Sequence, residues 1–599
     1  MDARKLTLGA LFETSAKYSA PLYQRPYVWK EEENWTPLWE GVKAASEKRL
    51  GGSNGRPHFM GAIVLDQVKT PTGDVSERQM IDGQQRLTTL QLLLAAARDI
   101  CQEHGLSTFR EGFGRLTANY LPTTTHPDDV FKVWPTNLDR DHFRKVMTAL
   151  TPEAIWEGYG LKPGAPQVGH LVPDCYFYFH RVLSSWLREP ETRDARVQAL
   201  WNALRQDLQI VVIDLDDHDD AQVIFETLNA LGTPLLPADL VKNHLFHLAE
   251  NQRDDTQVLY DRYWAPFDQE TTFWRQEVRQ GRLRRPRIDL FLQHYLSLAT
   301  TDEVLVTQLF RTFRNYVLAA NSLSAADHLA LLAEYGAIFK SFNERPEMSP
   351  EWSFFRRLDQ LETSTFFPLL LEVFRRHGSE TGAGGVEATL KDLESFLVRR
   401  LVCGLTTKSY NRLLVDLLQE LKRANDFSCT AIRSFLVRQQ AESARWPDDE
   451  EFGKAWFATP VYRTVARRRV VMILEALELA TRDRLTEAMP LPKSLTVEHL
   501  MPQEWERHWP IPEGPDSTVS KDTRNALIHT LGNLTLLTEA LNTSVSNGSW
   551  EKKRPKILKN SALALNRYFQ ETPSWDETAI RDRSTRMLDL AKTIWPRPS

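Results

Sequence analysis

The sequence predicts a mainly helical α+β protein, with an α/β domain at its N-terminal end and a small ββα-metal module near its C-terminal end. Three observations predict this fold class. Apolar strand-like runs alternate with helical patterns before residue 250, the pattern is overwhelmingly helical from there to about residue 490, and the composition changes again from residue 491. The chain has 599 residues, enough for roughly two to four domains, so a single small fold is excluded.

The composition is that of an ordinary globular protein, with 42% hydrophobic and 26% charged residues. No apolar run approaches the roughly 20 residues that span a bilayer, so the sequence predicts no membrane association. The 74 Lys and Arg residues against 79 Asp and Glu give a formal charge of −5, so any nucleic-acid surface must come from local clusters. Four scattered cysteines and the lack of a signal-peptide core predict a cytoplasmic location.

The N-terminal elements are predicted to alternate between strands and helices. They are, in chain order, a strand over 58–68, a turn at 70–74, a strand over 77–81, a helix over 86–100, and a strand near 208–215. A further helix is predicted from Asp219 or Asp220 to Gly232. The α/β domain is therefore expected to end near residue 250.

The turn after the second predicted strand has the pattern of an anion site. Its polar residues are Asp82, Gly83, Gln84, Gln85, Arg86 and Thr88. Amides at a helix N-terminus point toward bound phosphate, Gly83 permits close approach, Arg86 adds a forked contact, and Asp82 is placed to hold a hydrated Mg²⁺. The alternative is that Asp82 caps the helix and Arg86 pairs with a carboxylate.

An upstream element combines phosphate donors with flat rings. Tyr23, Gln24 and Arg25 precede Tyr27 and Trp29, and such rings can stack on a base. The two elements together indicate a nucleotide, although the aromatic residues are equally typical of a core. The sequence has no GxxxxGK[ST] motif, because its Gly-Lys pair at 453–454 is followed by Ala, so a Walker-type ATPase is excluded.

Two more polar groups follow in this half of the chain. One is an acidic cluster, for which helix capping is favoured over a cation site; its members are Asp214, Asp216, Asp217, Asp219 and Asp220. The other is spaced to line one side of a pocket and comprises Asn229, Asp239, Lys242 and Asn243. His244 and His247 fit surface or packing roles better than ligand roles.

The C-terminal constellation has the pattern of a ββα-metal site. Glu498 and His499 end a strand-like segment, Asn533 lies in LGNLTLL, Asn542 follows nine residues later, and Asn547 is a further candidate ligand. Carboxylate and amide oxygens suit Mg²⁺ or Mn²⁺, and a neutral His can take a proton from water during phosphodiester hydrolysis. The alternative is a core histidine with asparagines that form turns.

Basic residues directly downstream are expected to neutralise DNA phosphates. They are Lys552, Lys553 and Arg554, followed by Lys556 and Lys559. Two arginine-rich runs, at 274–287 and 466–470, fit either a DNA-tracking surface or solvated helix faces.

These residues together resemble the GmrSD-type modification-dependent restriction endonucleases, which have the relatives SspE and BrxU. The resemblance rests on four ordered motifs, at Tyr23–Pro26, Asp82–Arg86, Phe225–Asn243 and from Glu498 onward. It implies a ParB-like NTP-binding and DNA-sensing domain over 1–250, a helical linker domain over 251–385, and a helical region over 386–599. The last region would carry an HNH nuclease module at about 490–560.

The resemblance also implies roles for single residues. Gln24, Arg25 and the 82–86 motif would form the NTP site, with Asp82 and Arg86 acting in hydrolysis. Glu498 and Asn542 would bind the metal, His499 would be the general base, and Asn533 would complete the catalytic set. An Asn replaces the second His of many HNH sites.

The expected function is therefore an NTP-hydrolysing, Mg²⁺-dependent endonuclease that nicks or cleaves double-stranded phage or modified DNA. The DNA modification that it senses would be a modified cytosine or a backbone phosphorothioate. The alternatives are a non-catalytic DNA-binding regulator with a ParB-like nucleotide switch, and a toxin-like nuclease without modification sensing. The sequence leaves open which NTP is used, which mark is sensed, whether one strand or both are cut, and whether the protein is a homo-oligomer.

Overall fold

The structure is a computed structural model. It describes residues 2–598 except 22–23, 53–56, 69, 71–73, 121–125, 166, 216–235, 281–282, 321, 348, 379–384, 483–489, 493 and 512–519. These residues form two compact units, one of residues 1–265 with 323–326 and the other of residues 266–322 with 327–599. None of the helices described is both long and apolar enough to cross a membrane.

The first unit is built on a six-stranded mixed sheet, in the order β1-β6-β3-β4-β2-β5. The strands are β1 (Asp2–Thr7), β2 (Ala16–Ser19), β3 (His58–Gln67), β4 (Ser76–Asp82), β5 (Val133–Trp134) and β6 (Leu208–Asp214). β3 and β4 pair antiparallel, while β3 and β6 pair parallel. The predicted hairpin and the predicted strand near 208–215 are therefore confirmed, and the helix predicted to end at Gly232 lies outside the described residues.

Helices cover the sheet of the first unit. They are α1 (Leu8–Phe12), α2 (Thr36–Leu50), α3 (Gln84–Glu103), α4 (Ser107–Thr117), α5 (Asn137–Ala149), α6 (Pro152–Gly158), α7 (Leu171–Trp186), α8 (Pro190–Asn202), α9 (Pro237–Gln252) and α10 (Thr256–Leu259). The apolar run of α3 is buried almost all round, between α4 and α7, rather than on one face. Such a continuous apolar helix belongs in a core, which holds the start of α3 in a fixed place.

The rest of the chain is mainly helical, as predicted. Its helices are α11 (Ala265–Gln269), α12 (Thr271–Trp274), α13 (Arg287–Thr300), α14 (Leu309–Ala319), α15 (Ala325–Ser341), α16 (Pro350–Gln360), α17 (Phe367–His377), α18 (Val386–Val402), α19 (Tyr410–Ala424), α20 (Cys429–Val437), α21 (Asp449–Ala458), α22 (Val461–Thr464), α23 (Arg467–Thr481), α24 (Lys521–Leu527), α25 (Glu539–Val545), α26 (Trp550–Asn560) and α27 (Glu577–Ile594). The predicted domain boundary near residue 385 stays a prediction, because the described residues omit 379–384.

The arginine-rich run at 274–287 is not a helix face over most of its length. It contains an antiparallel hairpin of β7 (Glu277–Gln280) and β8 (Leu283–Pro286). Pro286 has no backbone N–H to donate within a helix, and α13 begins only after it. The helical interpretation of this segment is therefore wrong.

A second antiparallel pair lies near the C-terminal end, formed by β9 (Leu495–His499) and β10 (Leu534–Thr538). Helix α25 begins directly after β10 and ends at Val545, and the next residue, Ser546, has a φ of +33°. An apolar and aromatic cluster packs around this hairpin and the helices α25 and α26, and includes Leu500, Leu537, Leu541, Trp550 and Trp575. Full burial of one such side chain stabilises a fold by about 1.5–3 kcal/mol.

Candidate functional site

The predicted anion motif lies where β4 runs into α3. Asp82 ends the strand, and Gly83 has a φ of +97°, in the left-handed region. A Cβ at Gly83 would come within 2.4 Å of Ile63 Cγ2, so only glycine fits this close approach. The turn therefore brings the first amides of α3 directly after the strand.

Three glutamines of the predicted site hold the segment 24–28 against this junction. Gln24 Nε2 donates to a carbonyl of β4 at 2.8 Å, and Gln84 Nε2 donates to the Arg25 carbonyl at 3.0 Å. Gln85 Nε2 donates to the next carbonyl at 3.1 Å, while its Oε1 accepts from the amide of residue 28 at 2.8 Å. Gln84 and Gln85 bond to the backbone of the segment and Gln24 bonds to the backbone of β4, so their observed role is to fix the path of the segment.

The Arg86 guanidinium is also turned toward the protein. It donates to the Ala62 carbonyl at 2.5 Å and lies against Gly61, where a Cβ would come within 2.8 Å of it. Burial lowers the pKa of Arg86, and the charge of Asp82 opposes that shift. Arg86 therefore places a largely buried positive charge behind the start of α3. Thr88 is buried in the same turn.

Asp139, which sequence reasoning missed, completes the support of this segment. Its carboxylate accepts from the Tyr27 amide at 2.8 Å and from Thr136 Oγ1 at 2.7 Å, and burial raises its pKa to about 6. The Tyr27 ring is buried, so Tyr27 belongs to the core and not to a stacking surface. No local pattern links residues so far apart along the chain, so the sequence held no signal for Asp139.

The remaining N-terminal candidates lie elsewhere in the first unit or outside the described residues. Lys242 and Asn243 are buried on α9, where Lys242 Nζ lies 5.0 Å from the centre of the Tyr260 ring. Asp214 pairs with Arg78 and Arg4, each at 2.7 Å. Those outside the described residues are Tyr23, Asn229 and the acidic residues 216, 217, 219 and 220.

In the second unit, β9, β10 and α25 bring the C-terminal candidates together. Glu498 and His499 end β9, opposite Thr535 and Leu534 of β10. Asn542 lies on α25, and its Nδ2 donates to Thr496 Oγ1 at 2.8 Å and to the carbonyl of residue 497 at 3.2 Å. These bonds tie α25 to β9 and leave Asn542 Oδ1 without a hydrogen bond among the described residues.

Glu498 forms a buried ion pair with Lys553. Lys553 Nζ donates to Glu498 Oε1 at 2.5 Å and to the His499 carbonyl at 2.6 Å, and the Lys553 side chain has no exposed surface. Burial raises the pKa of Glu498, and the charge of Lys553 opposes that shift. In this arrangement the Lys553 side chain has no exposed surface with which to contact a DNA phosphate. Among its neighbours, Lys552 is exposed, and Arg554 donates to the carbonyls of residues 569 and 570.

The His499 imidazole pairs with a second histidine that sequence reasoning missed. His499 Nε2 and His529 Nδ1 are 3.2 Å apart, and both side chains are buried. Burial, with nearby positive charges, lowers the pKa of His499 to about 3 and that of His529 to about 4. Both rings are therefore neutral at physiological pH. His529 Nε2 is buried without a hydrogen-bond partner among the described residues.

Asn533 has a different role from the other asparagines. It is fully buried, and its Oδ1 accepts from the Met501 amide at 2.8 Å and from Trp575 Nε1 at 2.9 Å. Its Nδ2 donates to the carbonyls of Met501 and Ile528. These four bonds fix the chain on either side of the hairpin. Asn547 lies at the surface and donates to Glu504 Oε2 at 3.0 Å.

The side chains at this site offer few ligands for the expected metal. Over the ranges that the structure describes, no group of three or more His, Cys, Asp or Glu side chains is arranged to hold a metal ion. Glu498 and Asn542 offer one carboxylate and one amide oxygen. This small hard set fits Mg²⁺, which usually keeps several waters and is completed by substrate phosphates.

Two family models match the chain, and their ranges contain both candidate sites. The model described as GmrSD restriction endonuclease, N-terminal domain, matches residues 8–246. The model described as GmrSD restriction endonucleases, C-terminal domain, matches residues 446–590. Together they cover more than half of the chain. No curated protein matches it.

Proposed function

The chain belongs to the GmrSD restriction endonuclease family, and from this membership we propose that it is an NTP-hydrolysing, Mg²⁺-dependent DNA endonuclease of phage defence. Its nuclease site would be the one around Glu498, His499 and Asn542. The observation that supports the proposal is the place of His499, at the end of β9, 3.2 Å from His529 and beside a strand and a helix that would supply the two oxygen ligands.

His499 is proposed to take the proton of the attacking water. If His499 Nε2 donates to His529 Nδ1, the lone pair of His499 lies on Nδ1, which is then the basic nitrogen. His529 would thus select the tautomer that can act as a base. The negative charge of a bound phosphodiester raises the pKa of the imidazole toward the working pH, which suits general base catalysis.

Glu498 and Asn542 are the proposed holders of Mg²⁺ or Mn²⁺, with Asn547 as a third candidate. A bound divalent cation stabilises the charge that develops on the phosphate and on the leaving oxygen. Lys553 favours the ionised form of Glu498, and Asn533 fixes the chain around the catalytic pair. We regard both as positioning residues.

The N-terminal site is proposed to bind the phosphates of an NTP. The first amides of α3 after Gly83 would contact the phosphate oxygens, and the buried charge of Arg86 would favour the anion. Asp82 would hold the hydrated Mg²⁺ of the nucleotide. Lys242, Asn243 and the residues of the segment 24–28 remain candidates for the rest of the pocket. The DNA mark would be a modified cytosine or a phosphorothioate.

One assay tests both halves of the proposal. The purified chain is incubated with Mg²⁺, each NTP in turn, and plain, hydroxymethylated, glucosylated or phosphorothioated plasmids, while phosphate release and plasmid topology are followed. His499→Ala should abolish scission and spare NTP hydrolysis, whereas Arg86→Ala should impair hydrolysis. Normal scission by His499→Ala would disprove the base role, and DNA binding without scission by the parent would favour the non-catalytic regulator.

A further inference from the structure

A short segment from outside the predicted 490–560 module packs against the two catalytic-site histidines. The Tyr462 amide donates to the His529 carbonyl at 3.1 Å. The Tyr462 ring meets the His499 ring edge-on, with centroids 4.1 Å apart, and lies nearly parallel to the His529 ring at 5.9 Å. The segment 462–467 is therefore held in place by both imidazoles.

Two arginines of this segment lie next to Tyr462, in sequence or in space. Arg463 directly follows Tyr462, and Arg467 starts α23 with its guanidinium 3.0 Å from the centre of the Tyr462 ring. Arg467 also donates to the Tyr462 carbonyl, and both arginines are exposed. Arg463 and Arg467 thus carry two positive charges to the edge of the histidine pair.

These charges lack an acidic partner in the ranges that the structure describes. Among the described residues, neither Arg463 nor Arg467 pairs with a carboxylate, whereas the adjacent Arg468 and Arg469 both pair with Glu362. Glu498, the acid next to His499 in the chain, is already paired with Lys553. After burial, the two charges are among the causes that lower the pKa of both histidines. Within the described part of the chain, no carboxylate pairs with the two positive charges at the rim of the site.

We propose that Arg463 and Arg467 bind backbone phosphates of the DNA strand at the His499 site. Guanidinium groups match phosphate oxygens in a forked geometry, and a bound anion relieves the repulsion between neighbouring positive charges. This inference rests on the proposed nuclease function and adds the wall of the site that holds the substrate. It assigns DNA contact to α22 and the start of α23, rather than to Lys553.

The test measures DNA binding without cleavage. Full-length His499→Ala protein in EDTA is titrated against a short fluorescein-labelled duplex over a series of salt concentrations. Adding Arg463→Ala and Arg467→Ala should lower the slope of log affinity against log salt by about 0.9 for each lost phosphate contact. At a fixed physiological salt concentration, the double change should weaken binding roughly 10-fold.

The matched control is Arg468→Ala, an exposed neighbour that already has a carboxylate partner, and it should leave the salt slope unchanged. Melting curves identify a misfolded double variant; in that case Arg463→Lys with Arg467→Lys, which keeps the charge, should retain the slope and lose part of the affinity. An unchanged slope in a folded double alanine variant, or an equal loss in Arg468→Ala, would overturn the inference. Arginine-dependent binding by a parent that never cuts DNA would refute only the nuclease function.

Discussion

The three glutamines of the N-terminal site and the histidine and arginine side chains of the C-terminal site are used differently. At the N-terminal site, Gln84 and Gln85 donate to backbone carbonyls of the segment 24–28, and Gln24 donates from that segment to a carbonyl of β4. At the C-terminal site, His529 Nε2 is buried without a described partner, and the Arg463 charge has no described carboxylate beside it. Buried polar groups are normally satisfied within a protein, so the buried His529 Nε2 is suited to a ligand, and the exposed Arg463 charge is accessible to an anion.

This difference separates side chains that support the backbone from side chains that can take part in the chemistry. Side chains whose amide groups bond to the backbone shape a surface, and the groups that meet an NTP there would be the amides that follow Gly83. Side chains with spare nitrogen atoms or charge can meet a substrate themselves. Substitutions at the N-terminal site should therefore act through the path of the backbone, and those at the C-terminal site through charge and proton transfer.

The largest expected effect concerns Lys553. Lys553→Met should destabilise the second unit by about 3–5 kcal/mol, because it leaves Glu498 buried without its partner. Lys552→Ala, at an exposed neighbour, should stay within about 0.5 kcal/mol. Urea unfolding followed by tryptophan fluorescence measures both. Unchanged stability together with a lower salt slope of DNA binding would instead make Lys553 a phosphate contact.

A smaller effect is expected at Asp139, in the first unit. Its pKa is raised to about 6 in the folded protein, so folding favours the protonated acid. The contribution of Asp139 to the free energy of unfolding is fully present at a pH below its unfolded pKa near 4. It is lost as the pH rises to 6, by at most about 3 kcal/mol. Asp139→Asn should remove this loss. From pH 4 to pH 6, the unfolding free energy of the variant should therefore rise relative to that of the parent. A difference independent of pH would contradict the shifted pKa.

The opposite pH dependence is expected at His529. Folding lowers the pKa of His529 to about 4. Its contribution to the free energy of unfolding is therefore present above the unfolded pKa near 6.5 and is lost as the pH falls toward 4. Between pH 6.5 and 5 the loss is at most about 2 kcal/mol for this imidazole. His529→Asn, which cannot titrate, should unfold with a weaker acid dependence than the parent. An acid dependence equal to that of the parent would show that folding does not lower the pKa of His529.

Features that depend on local periodicity and on the order of motifs along the chain could be predicted from the sequence. The hairpin before α3 and the strand β6 followed from apolar patterns, and the Glu498, His499 and Asn542 order placed these residues around one strand pair. Asp139 and Tyr462 could not be found, because their partners are distant in the chain. Lys553 was accessible to sequence reasoning, since Trp550, Lys553 and Ile557 form the buried stripe of α26 at helical spacing.

The smallest predicted effect separates the two glutamines of the N-terminal site. Gln85 makes two bonds to the segment 24–28 and is buried, whereas the described side-chain bond of Gln84 is a single one and Gln84 is half-buried. Because a typical hydrogen bond contributes about 1 kcal/mol, Gln84→Ala should cost about 1 kcal/mol of stability and Gln85→Ala about twice that. If these side chains only hold the segment, both variants should raise the KM for NTP more than they lower kcat. A fall in kcat with unchanged KM and unchanged stability would place Gln85 in the chemistry itself.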